Sequence, residues 1–117
     1  MTEKAKFLHK FNEAFAKSNT KFIIDSVTDD IEWTIYGDKK IIGKEAFSKE
    51  IKTMASDAKV ILKVDKIITH GDMAAVNGII TMPDKKQYAY SDIYKLSGFK
   101  NPKVKQLQSY IISLKNE

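Results

Sequence analysis

The hydrophobic period of this chain changes once, near Lys59, from about 3.6 residues to about 2. Before that point apolar residues recur mostly at helical spacing. After it, apolar and polar residues alternate. A chain divided in this way segregates helices from strands, which predicts an α+β architecture with the helices packed on one face of an antiparallel sheet.

In the first half, Thr2 is placed to cap a helix whose Phe7, Leu8, Phe11, Ala14 and Phe15 share a stripe to about Lys17. Ser18-Asn19 breaks it, and Thr20 can cap a short second helix with Phe22, Ile23 and Val27 facing inward. Thr28-Asp29-Asp30 reads as a turn into a strand over 31–36, where Ile31, Trp33 and Ile35 share a face before Gly37-Asp38. Gly43 precedes a third helix with Phe47, Ile51 and Met54 along one stripe and Lys44, Glu45, Lys49, Glu50 and Lys52 toward water. Four longer strands follow, separated by His70-Gly71-Asp72, by Pro83-Asp84-Lys85, and by Ser97-Gly98 with Asn101-Pro102. Val60, Leu62 and Val64 oppose Lys59, Lys63 and Asp65 in the first of the four, and 104–114 closes the sheet.

At 117 residues, 43% hydrophobic and 30% charged, residues 1–117 are expected to form one domain with an ordinary core. No apolar run approaches the roughly 20 residues that span a bilayer, and Met1-Thr2-Glu3-Lys4-Ala5-Lys6 has no apolar stretch of the secretory kind, so a cytoplasmic address and no membrane partner are expected. The absence of cysteine excludes disulfides, thiolate metal sites and a cysteine nucleophile. All 20 basic residues behind the net charge of +5 are lysines, interspersed with acids as in Lys44-Glu45. Without arginine there is no bidentate fork for phosphate, carboxylate or base edges, so no nucleic-acid partner is expected. His9 and His70 stand apart, with no His-x-x-x-His or Glu-x-x-His spacing, so neither a metal nor another cofactor is expected.

The strand over 87–96 is unusual. Alternation puts Tyr88, Tyr90, Asp92, Tyr94 and Leu96 on one side, so one carboxylate is surrounded by aromatic rings. Burying even a neutral polar group without a partner costs on the order of 2–7 kcal/mol, so Asp92 requires a partner, a proton or a wet cavity. Either the tyrosine hydroxyls satisfy it in a closed interior, or it belongs to a functional pocket.

The element order, together with Asp29-Asp30-Ile31-Glu32-Trp33, Ile42-Gly43-Lys44-Glu45-Ala46-Phe47 and Ser91-Asp92-Ile93-Tyr94-Lys95, resembles the nuclear transport factor 2-like superfamily, in particular its SnoaL-like branch. The likeness covers nearly the whole chain. It implies a curved antiparallel sheet wrapped into a cone against three helices, an open pocket between them, and a homodimer. Ketosteroid isomerases share this architecture, and Asp92 matches their oxyanion-stabilising acid, which an apolar pocket keeps protonated. The isomerase base has no acidic match along Thr34-Ile35-Tyr36, and the partner tyrosine falls on Phe11. An acid lacking both is no steroid isomerase. The epoxide-hydrolase type needs an arginine, which is absent, whereas a cyclase or dehydratase asks only for an acid or histidine near a carbonyl.

The resemblance also implies that Trp33 faces the pocket beside Asp92, either as ligand contact or as filler of the wide end, and that Asn77 points into the cone. Asn77 can there orient a ligand oxygen, or it can mark a bulge with Gly78. Tyr90 and Tyr94 flank Asp92, and Tyr88 lies nearer the rim. Tyr110 and Gln108, facing away from Leu107, Ser109 and Ile111, suit a dimer interface on the outer sheet face. The expected function is binding of a small, mostly apolar or aromatic molecule by Trp33, Asn77, Tyr90, Asp92 and Tyr94. The alternatives are lyase, isomerase or cyclase chemistry with Asp92 as the catalytic acid or oxyanion stabiliser, and a protein-interaction module.

Overall fold

Thr2 caps α1 (Glu3–Lys17), its hydroxyl accepting from the Ala5 amide at 3.1 Å, and Ser18 ends the helix in the left-handed conformation. The structure, a computed structural model, describes residues 1–98 and 100–115. Asn19 rather than Thr20 caps α2 (Thr20–Asp25), accepting from the Phe22 amide at 3.2 Å. There follow β1 (Val27–Ile35), β2 (Lys39–Ile42), α3 (Lys44–Met54), β3 (Ile61–His70), β4 (Met73–Thr81), β5 (Gln87–Ser97) and β6 (Lys103–Leu114). The segregation of helices and strands read from the change of period is borne out.

The strands form one curved, unclosed sheet in the order β2-β1-β6-β5-β4-β3. Three details correct the sequence reading. The sheet is mixed rather than wholly antiparallel, because β6 inserts between β5 and β1 and runs parallel to β1, Trp33 facing Leu107 and Ile35 facing Ser109. Hairpin signals report only how consecutive strands connect, so they carry no information on which neighbour the first strand finds. The first strand also starts at Val27, so Thr28-Asp29-Asp30 is extended chain, not a turn. Asp30 accepts there from Thr28 at 2.7 Å and from Lys105 of β6 at 2.6 Å. Finally, Lys39-Lys40-Ile41-Ile42 is an unexpected edge strand paired with β1. It is too short to alternate, and only Ile41 in it is buried.

Alternation in β3 does not continue unbroken either. A bulge at Asp65 shifts its register against β4, so Leu62 and Val64 face inward before it and Ile67 and Thr69 after it. A second irregularity at Lys105 shifts β6 against β5. Such bulges bend strands and sharpen local twist, which suits a sheet that must curl around helices. The core lies on the concave side. Leu8, Phe11, Val27, Ile31, Phe47 and Val104 are wholly buried, each contributing on the order of 1.5–3 kcal/mol by leaving water.

Candidate functional site

Two neighbouring inward tyrosines on β5 meet small residues on β4: Gly78 stands opposite Tyr90, and Ala74 opposite Tyr94. A Cβ on Gly78 would collide with the Lys63 carbonyl and lie 3.0 Å from the Tyr90 hydroxyl. Glycine therefore lets the Tyr90 side chain lie close against β4. Between the two tyrosines, Asp92 faces Val76 on one side and Ser109 on the other.

Asp92 is half-buried at the floor of a cavity of about 430 Å³ enclosed by the sheet, α1 and α3. Trp33, Tyr90, Leu107 and Ser109 continue the floor, and Asp38, Glu50, Met54 and Ile111 stand nearer the mouth. Trp33 packs edge-on to Phe15 at 5.9 Å and against Phe47 at 5.7 Å, so its ring is held by helices on either side.

Hydrogen bonds converge on the acid along two routes. Asn12 of α1 donates both amide hydrogens, to the Leu8 carbonyl at 2.8 Å and to the Tyr94 hydroxyl at 3.1 Å. Tyr94, having accepted, donates to Asp92 Oδ2 at 3.4 Å. On the other route the Trp33 indole donates to Ser109 Oγ at 2.9 Å, and the Ser109 hydroxyl in turn supports the Asp92 carboxylate. Burial opposes these donors and outweighs them, raising Asp92 from its ordinary value to about 6. An acid so placed exchanges its proton in the neutral range, where general acid–base work is most effective.

The two flanking tyrosines differ in kind. Tyr94 is fully buried behind Asp92, outside the cavity wall, and burial holds its phenol well above the ordinary value. Tyr90 lines the cavity, yet its buried hydroxyl has no hydrogen-bond partner among the described residues. Burial, and then the neighbouring Asp92 charge, push its phenol upward, so Tyr90 stays protonated.

Of the residues expected from sequence, Trp33, Tyr90 and Asp92 meet at the cavity, and Tyr94 touches Asp92 from behind. Asn77 does not reach it. On β4 the residues Ala74, Val76 and Gly78 face inward, which turns Asn77 outward, and its Oδ1 accepts from the Lys66 amide at 3.0 Å. Asn77 thus belongs to a bulge, but one centred on Asp65 of β3 rather than on Gly78. Asn12 and Ser109 were missed. The signal for Asn12 was a polar residue on the Leu8–Phe15 stripe, and for Ser109 a polar residue between Leu107 and Ile111 on one face of its strand. Asp38, expected only to end the first strand, and Glu50, expected to face water, stand at the cavity wall, where Glu50 pairs with Lys39 at 3.1 Å.

No family model and no curated protein matches the chain. Solved structures do. An NTF2-like protein of unknown function from Cytophaga hutchinsonii superposes with a TM-score of 0.74 at 17% identity, over 96% of this chain and 92% of that one. A candidate SnoaL-like polyketide cyclase from Shewanella putrefaciens gives 0.80 at 12% identity, over 95% and 80%. A candidate ketosteroid isomerase from Kribbella flavida gives 0.75 at 12% identity, over 96% and 79%. At such identities the likeness speaks to architecture, since one fold hosts many chemistries. The three helices against a curved, unclosed sheet, and the neighbours that share them, give this chain the conical nuclear transport factor 2-like fold.

Proposed function

We propose that this domain binds a small, mostly apolar or aromatic molecule in the cone, by burial of its body against Phe15, Trp33 and Leu107 and by hydrogen bonds near Asp92. The observation that supports this most directly is the cavity itself. Its volume of about 430 Å³ falls within the usual range for ligand sites, roughly 300–1,000 Å³, and its largely apolar walls surround a small polar cluster at the floor, with Asp38 and Glu50 nearer the mouth. Native mass spectrometry of protein purified without denaturation tests the reading, with retained mass or a thermal shift on adding aromatic compounds expected. A Trp33→Ala variant that still binds those compounds with wild-type affinity would place the ligand elsewhere.

Lyase, isomerase or cyclase chemistry is the second reading, supported by an acid raised to about 6 beside a donating tyrosine. Asp92 would protonate a leaving group or stabilise an enolate oxygen. Loss of turnover in Asp92→Asn is the expected result once a substrate is found, and undiminished turnover would remove Asp92 from the chemistry.

A homodimer formed through the outer sheet face accompanies both readings. Ile68, Ile93, Tyr110 and Ile112 are exposed there, and Tyr36 stacks on Tyr110 at 4.6 Å. Sedimentation should give a dimer that Tyr110→Lys weakens; a monomer at all concentrations would refute it. A cytoplasmic setting is part of the same proposal. Among the described residues no helix is long and apolar enough to cross a membrane.

A further inference from the structure

Hydrogen-bond donors at the floor of the cavity are almost all consumed within the protein. Both Asn12 amide hydrogens are committed, to the Leu8 carbonyl and to Tyr94, and the Leu8 oxygen, which can only accept, fixes which way the amide points. The Trp33 N–H goes to Ser109, and the Tyr94 proton goes to Asp92. Left without a donor are two groups that can only accept, the Asn12 carbonyl oxygen and the Asp92 carboxylate; the one uncommitted proton belongs to the Tyr90 hydroxyl, which is buried, has no partner among the described residues and can donate as well as accept.

The charge around the cavity has one sign. Among the described residues Asp38, Glu50 and Asp92 line it and no lysine does, in a chain whose net charge is +5. Lys39 is occupied by Glu50, and among the described residues neither Asp38 nor Asp92 has a basic side chain within 4.0 Å. Aromatic rings of Phe15, Trp33 and Tyr90 complete the walls. An anionic ligand would meet like charge, and a neutral one would leave the Asp92 carboxylate without a counter-ion.

Resting on the reading of the cone as a small-molecule site, we infer that its ligand is an amine: an apolar or aromatic body carrying an ammonium head directed at Asp92. An ammonium group donates and never accepts, which matches the acceptors at the floor, and its charge is favoured by aromatic faces as well as by the carboxylate. Asp38 at the mouth would attract the same head on entry.

An isosteric series tests this on the intact protein: phenylbutylamine, phenylbutanol and phenylbutyrate, compared by calorimetric titration near neutral pH. The amine should bind at least about tenfold more tightly than the alcohol, the scale of one charge-assisted hydrogen bond, and the carboxylate most weakly. Asp92→Asn keeps the shape but brings amide donors to the floor, so it should bring amine and alcohol to comparable affinity. Lowering the pH to about 5 should shrink the preference as Asp92 takes up its proton. The other ionisable groups in that environment are Tyr90 and Tyr94 on β5, Asp38 in the turn after β1, and Glu50 of α3 with its partner Lys39; α1 and β6 present the neutral Asn12 and Ser109. If alcohol and amine bind wild-type protein alike, or the carboxylate binds best, the amine assignment is wrong and the cavity remains a binding site. If none of the three binds, both fall.

Discussion

Tyr90 and Tyr94 stand on the same face of one strand, on either side of Asp92, and live in opposite conditions. Tyr94 sits in a dry, filled end of the cone, with Asn12 donating to its hydroxyl and Asp92 accepting from it. Tyr90, at 6% exposure, is almost as buried, yet its hydroxyl has no hydrogen-bond partner among the described residues and its ring borders the hollow. The strand is therefore structural on one side of the acid and available on the other. Polar groups in a finished core are satisfied, and one left unsatisfied beside a cavity marks where something else belongs.

The widest break in this comparison should come from Gly78→Ala. The new Cβ meets the Lys63 carbonyl and crowds Tyr90, with no flexible side-chain end that can move aside on the β3 side. Denaturant melts should show a loss of about 2–3 kcal/mol, the usual cost of overpacking, and a smaller cavity. Ala74→Gly, opposite Tyr94, removes a methyl group instead and should cost only about 1 kcal/mol.

Asp92→Asn sharpens the boundary between the two sides through pH. Burial raises this acid to about 6 from an ordinary 3.8, so between those values the folded state holds more protons than the unfolded one. Stability then falls as pH rises through that window, and above about pH 6 the ionised Asp92 costs at most about 3 kcal/mol. The variant should thus gain roughly 1–3 kcal/mol over wild type at about pH 8 and nearly nothing at about pH 4. Urea titrations at both pH values measure it; equal differences at the two would mean that Asp92 is no more burdened folded than unfolded.

Removing each phenolic hydroxyl gives the smallest and most direct contrast. Tyr94→Phe strands an Asn12 hydrogen and deprives Asp92 of a donor, so it should cost about 1–2 kcal/mol and raise the acid further. Tyr90→Phe removes a group that has no partner to lose, so the ligand-free protein should be unchanged or up to about 1 kcal/mol more stable. Should the two variants melt alike, the distinction between the sides is void.

Sequence carried the features that repeat and lost those that depend on meeting. Helical stripes and alternation placed α1, α3 and the inward face of β5, and with that face the juxtaposition of Asp92 and two tyrosines. Asn77 went astray because a polar residue in an apolar strand looks the same whether it points at a ligand or at a neighbouring strand's displaced amide. Which it does depends on the bulge at Asp65, which turns the amide of Lys66, eleven positions before Asn77, toward it. Asn12 and Ser109 were legible as polar intrusions on apolar faces, but their partners lie 82 and 76 residues distant in the chain. Asp38 and Glu50 have no such signature. A turn and a helix carry them to the mouth, and nothing local to either says so.

The placement of β6 bears on how the molecule is made. It comes last in chain order, yet it lies inside the sheet, with β1 on one flank and β5 on the other. During synthesis the early segment containing β1 and β2 therefore has no adjoining strand to zip onto until the final one leaves the ribosome, and a nascent chain halted before Lys103 holds two separate sheet fragments with bare edges. Pairing strands so distant in the chain carries the loop-closure cost that slows folding, and in this topology that cost falls on the docking of β6. Until it happens, Trp33 lacks Ser109, Asp92 lacks its facing strand, and the hollow has no floor.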